Sequence, residues 1–433
     1  MNLAEQIYSE ILSNQCKDQE RLVGIEVECL IYDHELRRIP VNPGSKYSAT
    51  DLLTSLSTWQ NDNRKCIHYS IEPGGQVEYA SPPIKSLHQA HTQYIEHLEQ
   101  LLNICQQENL VPLDYALDPL YAPSEVELIA VEKYQLMNNL FAKTGQHGPW
   151  MMRNTASVQV NIDVTSQRDA EEMAFIADCL QPLVAILFAH APFKLGEPAG
   201  QNNLRYHIWH DTDPDRCGNL IDHGITSNAG LLEKYINWIL RVPVIFAQSG
   251  QDTIKYNGTM GNWLQSRAID GIISPADIQL MLHQIFSHVR FKNVIEVRGA
   301  DRPLCNHEFA PAAFWLGVLS SGEIRRKMLA LVSSWSIETR KQLNQLAGSI
   351  DVKQKAPDGR TVEDWIGEIC DLARAGLQER AMVQDIATEI NFLDDYLKTF
   401  FDLGSPALFL QNKFKNCNLD LKEFIKTCEI ECE

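Results

Sequence analysis

The sequence predicts an α+β fold in which a mostly antiparallel sheet turns one face to helices and the other to a polar bowl. Two observations support this prediction. Four strand-like segments, far apart in the chain, each alternate polar and apolar side chains, which is typical of strands with one buried and one open face. After about residue 306 only helical patterns follow. We therefore expect residues 1–303 to hold the sheet and the site, and residues 304–433 to form a helical region packed on the same domain.

Composition and charge argue against several classes of protein. The chain has 433 residues, 44% of them hydrophobic and 22% charged, as in packed globular proteins. Its formal net charge is −18 without a basic block, which argues against nucleic acid or an anionic membrane surface as a partner. The 11 cysteines show no disulfide-framework spacing, and we find no signal-peptide pattern and no apolar run of about 20 residues. We expect a cytoplasmic protein that acts on small molecules.

The first polar face belongs to residues 22–32, which follow a predicted helix over residues 1–18. The segment alternates, so Glu26 and Glu28 point to one side and mostly apolar residues to the other. A half-exposed strand with glutamates in water would show the same pattern. This face therefore does not define a site by itself.

The second polar face surrounds a Pro-Gly-Gly turn inside residues 64–79, which predict two strands. Pro73 fixes φ, while Gly74 and Gly75 permit positive φ and a close approach of the backbone. With the apolar residues of these strands in the core, the open face holds Glu72, Gln76 and Glu78.

The third polar face lies in residues 150–164, which we predict as one strand. One side is mostly apolar, and the other carries small hydroxyls and amides where a solvated strand usually carries Lys and Glu. This composition favours coordination or substrate binding. The side chains of interest on this face are Arg153, Gln159 and Asn161.

The fourth polar face lies in a predicted strand over residues 289–300, where Glu296 and Arg298 share a side. A long loop over residues 191–230, a length that usually indicates function, carries Arg205 and Trp209. The other predicted elements are a strand over residues 110–117 and helices over residues 51–59, 86–106, 131–143, 166–190, 231–239, 278–287, 308–347, 361–378 and 382–402.

The four polar faces together indicate a metal–nucleotide site. Five glutamates in one bowl would repel one another unless cations are bound. Oxygen ligands without cysteine or a well-placed histidine pair favour Mg²⁺, or Mn²⁺, over zinc, and Mg²⁺ held by carboxylates is usually completed by substrate phosphates. The chain has no Walker A, G-x-G-x-x-G, H-E-x-x-H or G-x-S-x-G motif. The sequence therefore predicts a nucleoside triphosphate bound by a sheet.

Six segments make the chain resemble the glutamate–cysteine ligases, in particular the plant-type branch. They are GIEVE at 24–28, IEPGGQVEYASPP at 71–83, MMRNTASVQVNID at 151–163, LFAHAPF at 187–193, RYHIWHDTDPDRCG at 205–218 and VIEVRGADRP at 294–303. The resemblance implies ATP- and Mg²⁺-dependent ligation of the L-glutamate γ-carboxyl to the L-cysteine amine through γ-glutamyl phosphate, the first step of glutathione synthesis. It also implies a curved antiparallel sheet like that of glutamine synthetase and the guanidino kinases.

The resemblance also assigns roles to residues at matching positions. The implied metal ligands are Glu26, Glu28, Glu72, Glu78, Gln159 and Glu296. Arg298 would pair with the carboxylate of the glutamate substrate. Arg205 and Arg153 would contact the second substrate or the phosphate, with Trp209 in the substrate site. The residues expected beside the nucleotide are Gly74, Gly75, Gln76 and Asn161.

The sequence departs from the family pattern in two places. Asn154 and Ala156 stand where the plant-type enzymes favour other small polar residues, and Arg302 opens a stretch that replaces a glycine-rich continuation. We expect both departures to adjust substrate specificity. Two other functions therefore stay open: a ligase of the same fold that joins a different acid or amine, and a non-catalytic regulator that binds ATP and Mg²⁺. The sequence does not predict the oligomeric state.

Overall fold

The main sheet of the protein has seven strands, seen here in a computed structural model that describes residues 2–269 and 273–428. The last five residues of the predicted C-terminal region lie outside the described residues. The strands are β1 Val23–Asp33, β2 His68–Ile71, β3 Val77–Ala80, β4 Leu110–Leu113, β5 Ser157–Ile162, β6 Phe193–Lys194, β7 Glu197–Pro198, β8 Cys217–Gly218, β9 Ala247–Ser249, β10 Asp252–Ile254, β11 Phe286–Ser287, β12 Val289–Phe291 and β13 Ile295–Asp301.

Helices make up most of the rest. They are α1 Leu3–Ile11, α2 Ala49–Asp62, α3 Leu87–Glu108, α4 Glu132–Thr144, α5 Gly148–Asn154, α6 Gln167–Leu187, α7 Leu204–His210, α8 Leu231–Ile239, α9 Met260–Ile269, α10 Pro275–Leu282, α11 Ala310–Leu319, α12 Gly322–Val332, α13 Ile337–Leu346, α14 Val362–Gln384, α15 Ile390–Leu403, α16 Pro406–Lys415 and α17 Leu421–Lys426. None of them, over the residues described, is long and apolar enough to cross a membrane.

The strand order of the main sheet is β12-β13-β5-β1-β3-β2, and β4 pairs with the far half of β1. All of these neighbours are antiparallel, which confirms the predicted fold class. The register brings polar residues from different strands opposite one another. Glu28 faces Glu78 across β1 and β3, and Glu26 faces Gln159 across β1 and β5.

The apolar face of the sheet packs against helices α3, α6 and α11. Ile25, Val160 and Val297, each 1% exposed or less, lie in one core cluster with residues of these helices. Helix α6 contacts β13, and α11 contacts both β5 and α14. Because this face is closed by helices, the opposite face of the same strands is left to form the bowl.

The structure differs from the sequence-based elements most clearly in four places. Residues 150–164 do not form one strand, because α5 occupies Gly148–Asn154 and only Ser157–Ile162 is extended; Pro149 in the first turn of α5 favours a helix start. Residues 289–300 form a hairpin of β12 and β13 where we predicted a single strand. The predicted loop over residues 191–230 contains α7, and the predicted long helix over 308–347 divides into α11, α12 and α13.

Candidate active site

Three carboxylates meet at the centre of the bowl. Glu28 comes from β1, Glu72 follows β2 directly, and Glu78 lies in β3. One oxygen of each lies within 4.8 Å of the corresponding oxygens of the other two. We call this group the acid triad. Three hard oxygen donors at this separation suit a divalent cation such as Mg²⁺ or Mn²⁺.

The glycine turn holds Glu72 in the triad. Gly75 adopts a φ of +84°, and its N–H donates to the Glu72 carbonyl at 2.8 Å. The Glu72 N–H in turn donates to the Gln76 carbonyl at 2.9 Å. A residue with a side chain would be strained at this φ, so the turn depends on glycine at position 75.

The electrostatics of the acid triad favour a bound cation. Burial and the charge of Glu72 raise the pKa of Glu28 to about 7. Burial, Glu26 and the other two triad members raise the pKa of Glu78 well above its usual range. Burial also raises the pKa of Glu72, against the attraction of Lys133. The triad therefore binds protons more tightly than free carboxylates do, and a divalent cation would compete with those protons.

The other three expected metal ligands each have protein partners, and one of them is bonded to the triad itself. Gln159 donates from Nε2 to Glu28 Oε1 at 3.0 Å, and its Oε1 accepts from Arg298. Glu26 Oε1 accepts from Asn161 Nδ2 at 2.9 Å. Glu296 forms ion pairs with three cations. Asn161, expected beside the nucleotide, thus holds a carboxylate of β1.

Glu296 lies in a cluster of cations. It is fully buried, and Arg290, Lys292 and Arg298 all form ion pairs with it, at 3.1 Å for Lys292 Nζ and 2.6 Å for Arg298 Nη1. Burial alone would raise the pKa of Glu296, but these three cations hold it well below its usual range. Glu296 is therefore an ionised anchor for the basic residues of β12 and β13.

The residues expected to bind substrate do lie together. The guanidinium groups of Arg205 and Arg298 lie 5.7 and 5.6 Å from the ring centre of Trp209. Arg205 is also paired with Asp301, Nη1 to Oδ1, at 3.5 Å. The charges of Arg205 and Arg298 both act to lower the pKa of Glu28, which places this basic group beside the acid triad. The bowl thus offers two guanidinium groups next to a cation site.

Three other residues expected in the site have protein partners of their own. Arg153 lies in α5, and its guanidinium donates to the Pro123 carbonyl at 2.7 Å and to Asn138 Oδ1 at 2.8 Å, so these donors have protein acceptors. A β-carbon at Gly74 would overlap the backbone of Arg153, so this glycine accommodates protein and not nucleotide. Gln76 is 1% exposed. Its Oε1 accepts from the Gly74 N–H, and its Nε2 donates to the Thr155 carbonyl.

The two departures from the family pattern lie in the core, so any effect of theirs on specificity would act through the fold behind the site. Asn154 is fully buried and donates to the Tyr121 carbonyl at 2.9 Å, and Ala156 is fully buried too. Arg302 is fully buried and pairs with Glu308 at 3.1 Å on the helix side of the sheet. These residues stabilise the fold behind the bowl.

Sequence reasoning missed several residues of the site. Arg290 and Lys292 fall on the same side of the predicted strand as Glu296 in the sequence, but that pattern alone assigns them no role. Lys133 gave no such signal. It stands in the first turn of α4, which reaches the bowl because the Ile129 N–H donates to the Pro73 carbonyl at 2.9 Å, beside Glu72.

Comparisons with known proteins agree on one family. The model of glutamate-cysteine ligase family 2 (GCS2) matches residues 22–399. The chloroplastic glutamate–cysteine ligase A of Oryza sativa subsp. indica is 31% identical over 354 residues, 80% of this chain and 70% of that protein. The chloroplastic enzyme of Arabidopsis thaliana is 31% identical over 351 residues, 79% of this chain and 66% of that protein.

Solved structures share the fold at lower identity. The glutamate–cysteine ligase of Francisella tularensis, solved in complex with AMP, aligns with a TM-score of 0.56 and 13% identity, over 94% of this chain and 87% of that one. A bifunctional glutathione synthetase of Pasteurella multocida aligns with a TM-score of 0.54 and 10% identity, over 98% of this chain and 53% of that one.

Proposed function

Because this chain belongs to the glutamate–cysteine ligase family 2, we propose that it joins the γ-carboxyl of L-glutamate to the amine of L-cysteine with conversion of ATP to ADP. The product is γ-glutamylcysteine, and the reaction is the first step of glutathione synthesis. The observation that carries the proposal is the acid triad of Glu28, Glu72 and Glu78 beside the guanidinium groups of Arg205 and Arg298. A cation site next to paired arginines suits a phosphorylated nucleotide and an anionic amino acid.

The triad fits Mg²⁺, with Mn²⁺ as a substitute. Its donors are all carboxylate oxygens, and burial, together with repulsion from neighbouring carboxylates, raises the pKa values of Glu28 and Glu78. When bound, Mg²⁺ would neutralise the phosphate charge of ATP. ATP as the nucleotide is supported by the family and by the AMP present in the Francisella enzyme.

The residues of the chain provide the rest of the chemistry. Arg298, held in place by Glu296 and Gln159, binds a carboxylate of glutamate. The γ-carboxylate attacks the γ-phosphate of ATP, which gives γ-glutamyl phosphate and ADP. Arg205 neutralises charge on the transferred phosphate. The cysteine amine then attacks the acyl carbon, loses a proton and expels phosphate. No protein nucleophile is needed.

The test is product formation from a panel of amines. The purified protein is given ATP, Mg²⁺ and glutamate with cysteine, 2-aminobutyrate, glycine or alanine. ADP release is followed together with mass spectrometry of the product. We expect glutamate- and cysteine-dependent ADP release and the mass of γ-glutamylcysteine.

Two outcomes would contradict the proposal. Turnover with another amine but not with cysteine would identify a ligase of different specificity. Binding of ATP and Mg²⁺ without any ligation would identify a regulator. Glu78→Gln serves as the inactive control, because it removes a triad carboxylate.

A further inference from the structure

Gln181 of α6 is a buried amide without a hydrogen bond. The residue is fully buried, and neither its Nε2 nor its Oε1 has a partner within the described part of the chain. Gln284 offers a contrast inside the same protein. It is 1% exposed, accepts from the Ile245 and Phe246 N–H groups, and donates to two carbonyls. Buried amides are normally satisfied like Gln284, so Gln181 calls for an explanation.

The Gln181 amide lies directly against the strand that carries Arg298. A β-carbon on Gly299 would overlap the Gln181 side chain, so only glycine leaves room for it. Gly299 sits where the pairing of β13 with β5 shifts between Val297 and Ala300. At such a bulge, backbone groups leave the regular ladder and need other partners.

Arg205 supplies those partners in this structure. Its Nη1 donates to the Gly299 carbonyl and its Nη2 to the Arg298 carbonyl, each at 3.3 Å. The ion pair of Arg205 with Asp301 is 3.5 Å long. These distances exceed the 2.7–2.9 Å or so typical of charge-assisted hydrogen bonds. The Arg205 guanidinium is thus held loosely, on acceptors that a bound anion would outcompete.

We propose that Gln181 is a positioning residue. When a substrate binds the Arg205 guanidinium, the Gln181 amide replaces that guanidinium as the hydrogen-bond donor to a backbone carbonyl of the β-bulge at Gly299. The amide donates to the carbonyl that Arg205 releases, and the bulge keeps Arg298 in place for glutamate. In the substrate-free protein the Gln181 amide therefore stays without a hydrogen bond. The inference rests on the proposed function, because Arg205 must bind an anionic group of a substrate.

The test compares Gln181→Met with Gln284→Met, two replacements of a buried glutamine by an apolar side chain of similar length. Thermal unfolding is measured without substrates, and steady-state kinetics are measured against glutamate and against ATP. We expect Gln181→Met to raise Tm by about 2–4 °C, since no hydrogen bond is lost, whereas Gln284→Met lowers it. We also expect Gln181→Met to raise the KM for glutamate about 10-fold, the loss of one hydrogen bond on substrate binding, and to raise the KM for ATP as well, because the phosphate that binds Arg205 then leaves a bulge carbonyl without a donor.

Two results would overturn the inference. A lower Tm for Gln181→Met would show that the amide already has partners, and unchanged kinetics beside a higher Tm would show that it has no role in positioning. Gln181→Leu replaces Gln181→Met if the longer side chain does not fold. Failure of the proposed function would appear in the wild-type protein, which would form no product, whereas failure of this inference appears only in the variant.

Discussion

Replacing Glu78 by glutamine should raise the stability of the metal-free protein and abolish its activity. Its carboxylate oxygen lies within 4.8 Å of those of Glu28 and Glu72. Two unit charges at that distance repel by about 3.5 kcal/mol at an effective dielectric constant of about 20. Partial protonation already relieves part of this repulsion, so we expect Glu78→Gln to add about 1–3 kcal/mol of unfolding free energy at pH 8. Ser70 Oγ, which donates to Glu78 Oε1 at 2.7 Å, keeps an acceptor in the variant.

The expected gain has a defined pH dependence. A carboxyl group whose pKa is higher in the folded than in the unfolded state stabilises the protein fully below the unfolded pKa, and this stabilisation is lost as pH rises through the folded pKa. For Glu28 the window runs from the usual 4.5 up to about 7. Metal-free wild-type protein should therefore lose stability across that window. The difference between Glu78→Gln and wild type should be larger at pH 8 than at pH 5.

Thermal unfolding with and without Mg²⁺, together with ADP release, measures both effects. We expect the ligation rate of Glu78→Gln to fall by at least about 100-fold, as when one electrostatic contact to a transition state is lost. Mg²⁺ should stabilise wild type more than the variant. Glu197→Gln, an exposed change in β7, is the matched control and should alter neither quantity. Destabilisation of metal-free Glu78→Gln at pH 8, or near-normal turnover, would refute a metal role for Glu78.

Two further predictions concern the same bowl and the core behind it. Calorimetric titration of the metal-free protein with Mg²⁺ should show proton release and weaker binding at pH 6 than at pH 8, because the pKa of Glu28 is raised to about 7 and protons compete with the metal; equal affinity at both pH values would contradict this. Arg302→Met should cost about 3–5 kcal/mol of stability, since it leaves Glu308 buried without its cation, while the KM for glutamate stays unchanged. The double variant Arg302→Met/Glu308→Gln should regain most of that loss, and a change in the glutamate KM would place Arg302 in the substrate site.

The open face of the sheet could be predicted from the sequence because alternation in a strand is local. Parity alone assigned Glu26, Glu28 and Glu78 to one side, and the structure has them there. The alternation of side chains does not predict which strands are neighbours or in which register they pair. The contact of Glu28 with Glu78 depends on pairing between segments about 50 residues apart, and such pairing is determined by the whole core.

The errors arose where a local pattern fitted two structures. Polar side chains occupy every second position from Arg153 to Gln159, which is typical of one strand. In the structure the first part of this pattern lies in helix α5, which ends at Asn154. Residues 289–300 are predicted as a single strand but form a hairpin. The single strand does not predict the cross-strand pairing of Arg290 with Glu296. A turn inserted between two halves of such a segment leaves the same side chains on the polar face, but it changes which residues lie opposite one another across the strands. The role of Glu296 therefore changed from an expected metal ligand to a buried anchor for cations.

The bowl consequently has two halves of opposite charge, and Gln159 joins them. The acid triad comes from β1 and the segment around β2 and β3, whereas the basic residues come from β12, β13 and α7. Gln159 stands on β5 with its Nε2 directed at Glu28 and its Oε1 at Arg298. An amide can serve both neighbours, because it has a donor for the carboxylate and an acceptor for the guanidinium. A carboxylate at this position would bind Arg298 but repel Glu28, and a cation would do the reverse. A neutral amide at position 159 therefore keeps the acidic and the basic half in contact, and under the proposed function this junction is where the γ-carboxyl would meet the γ-phosphate.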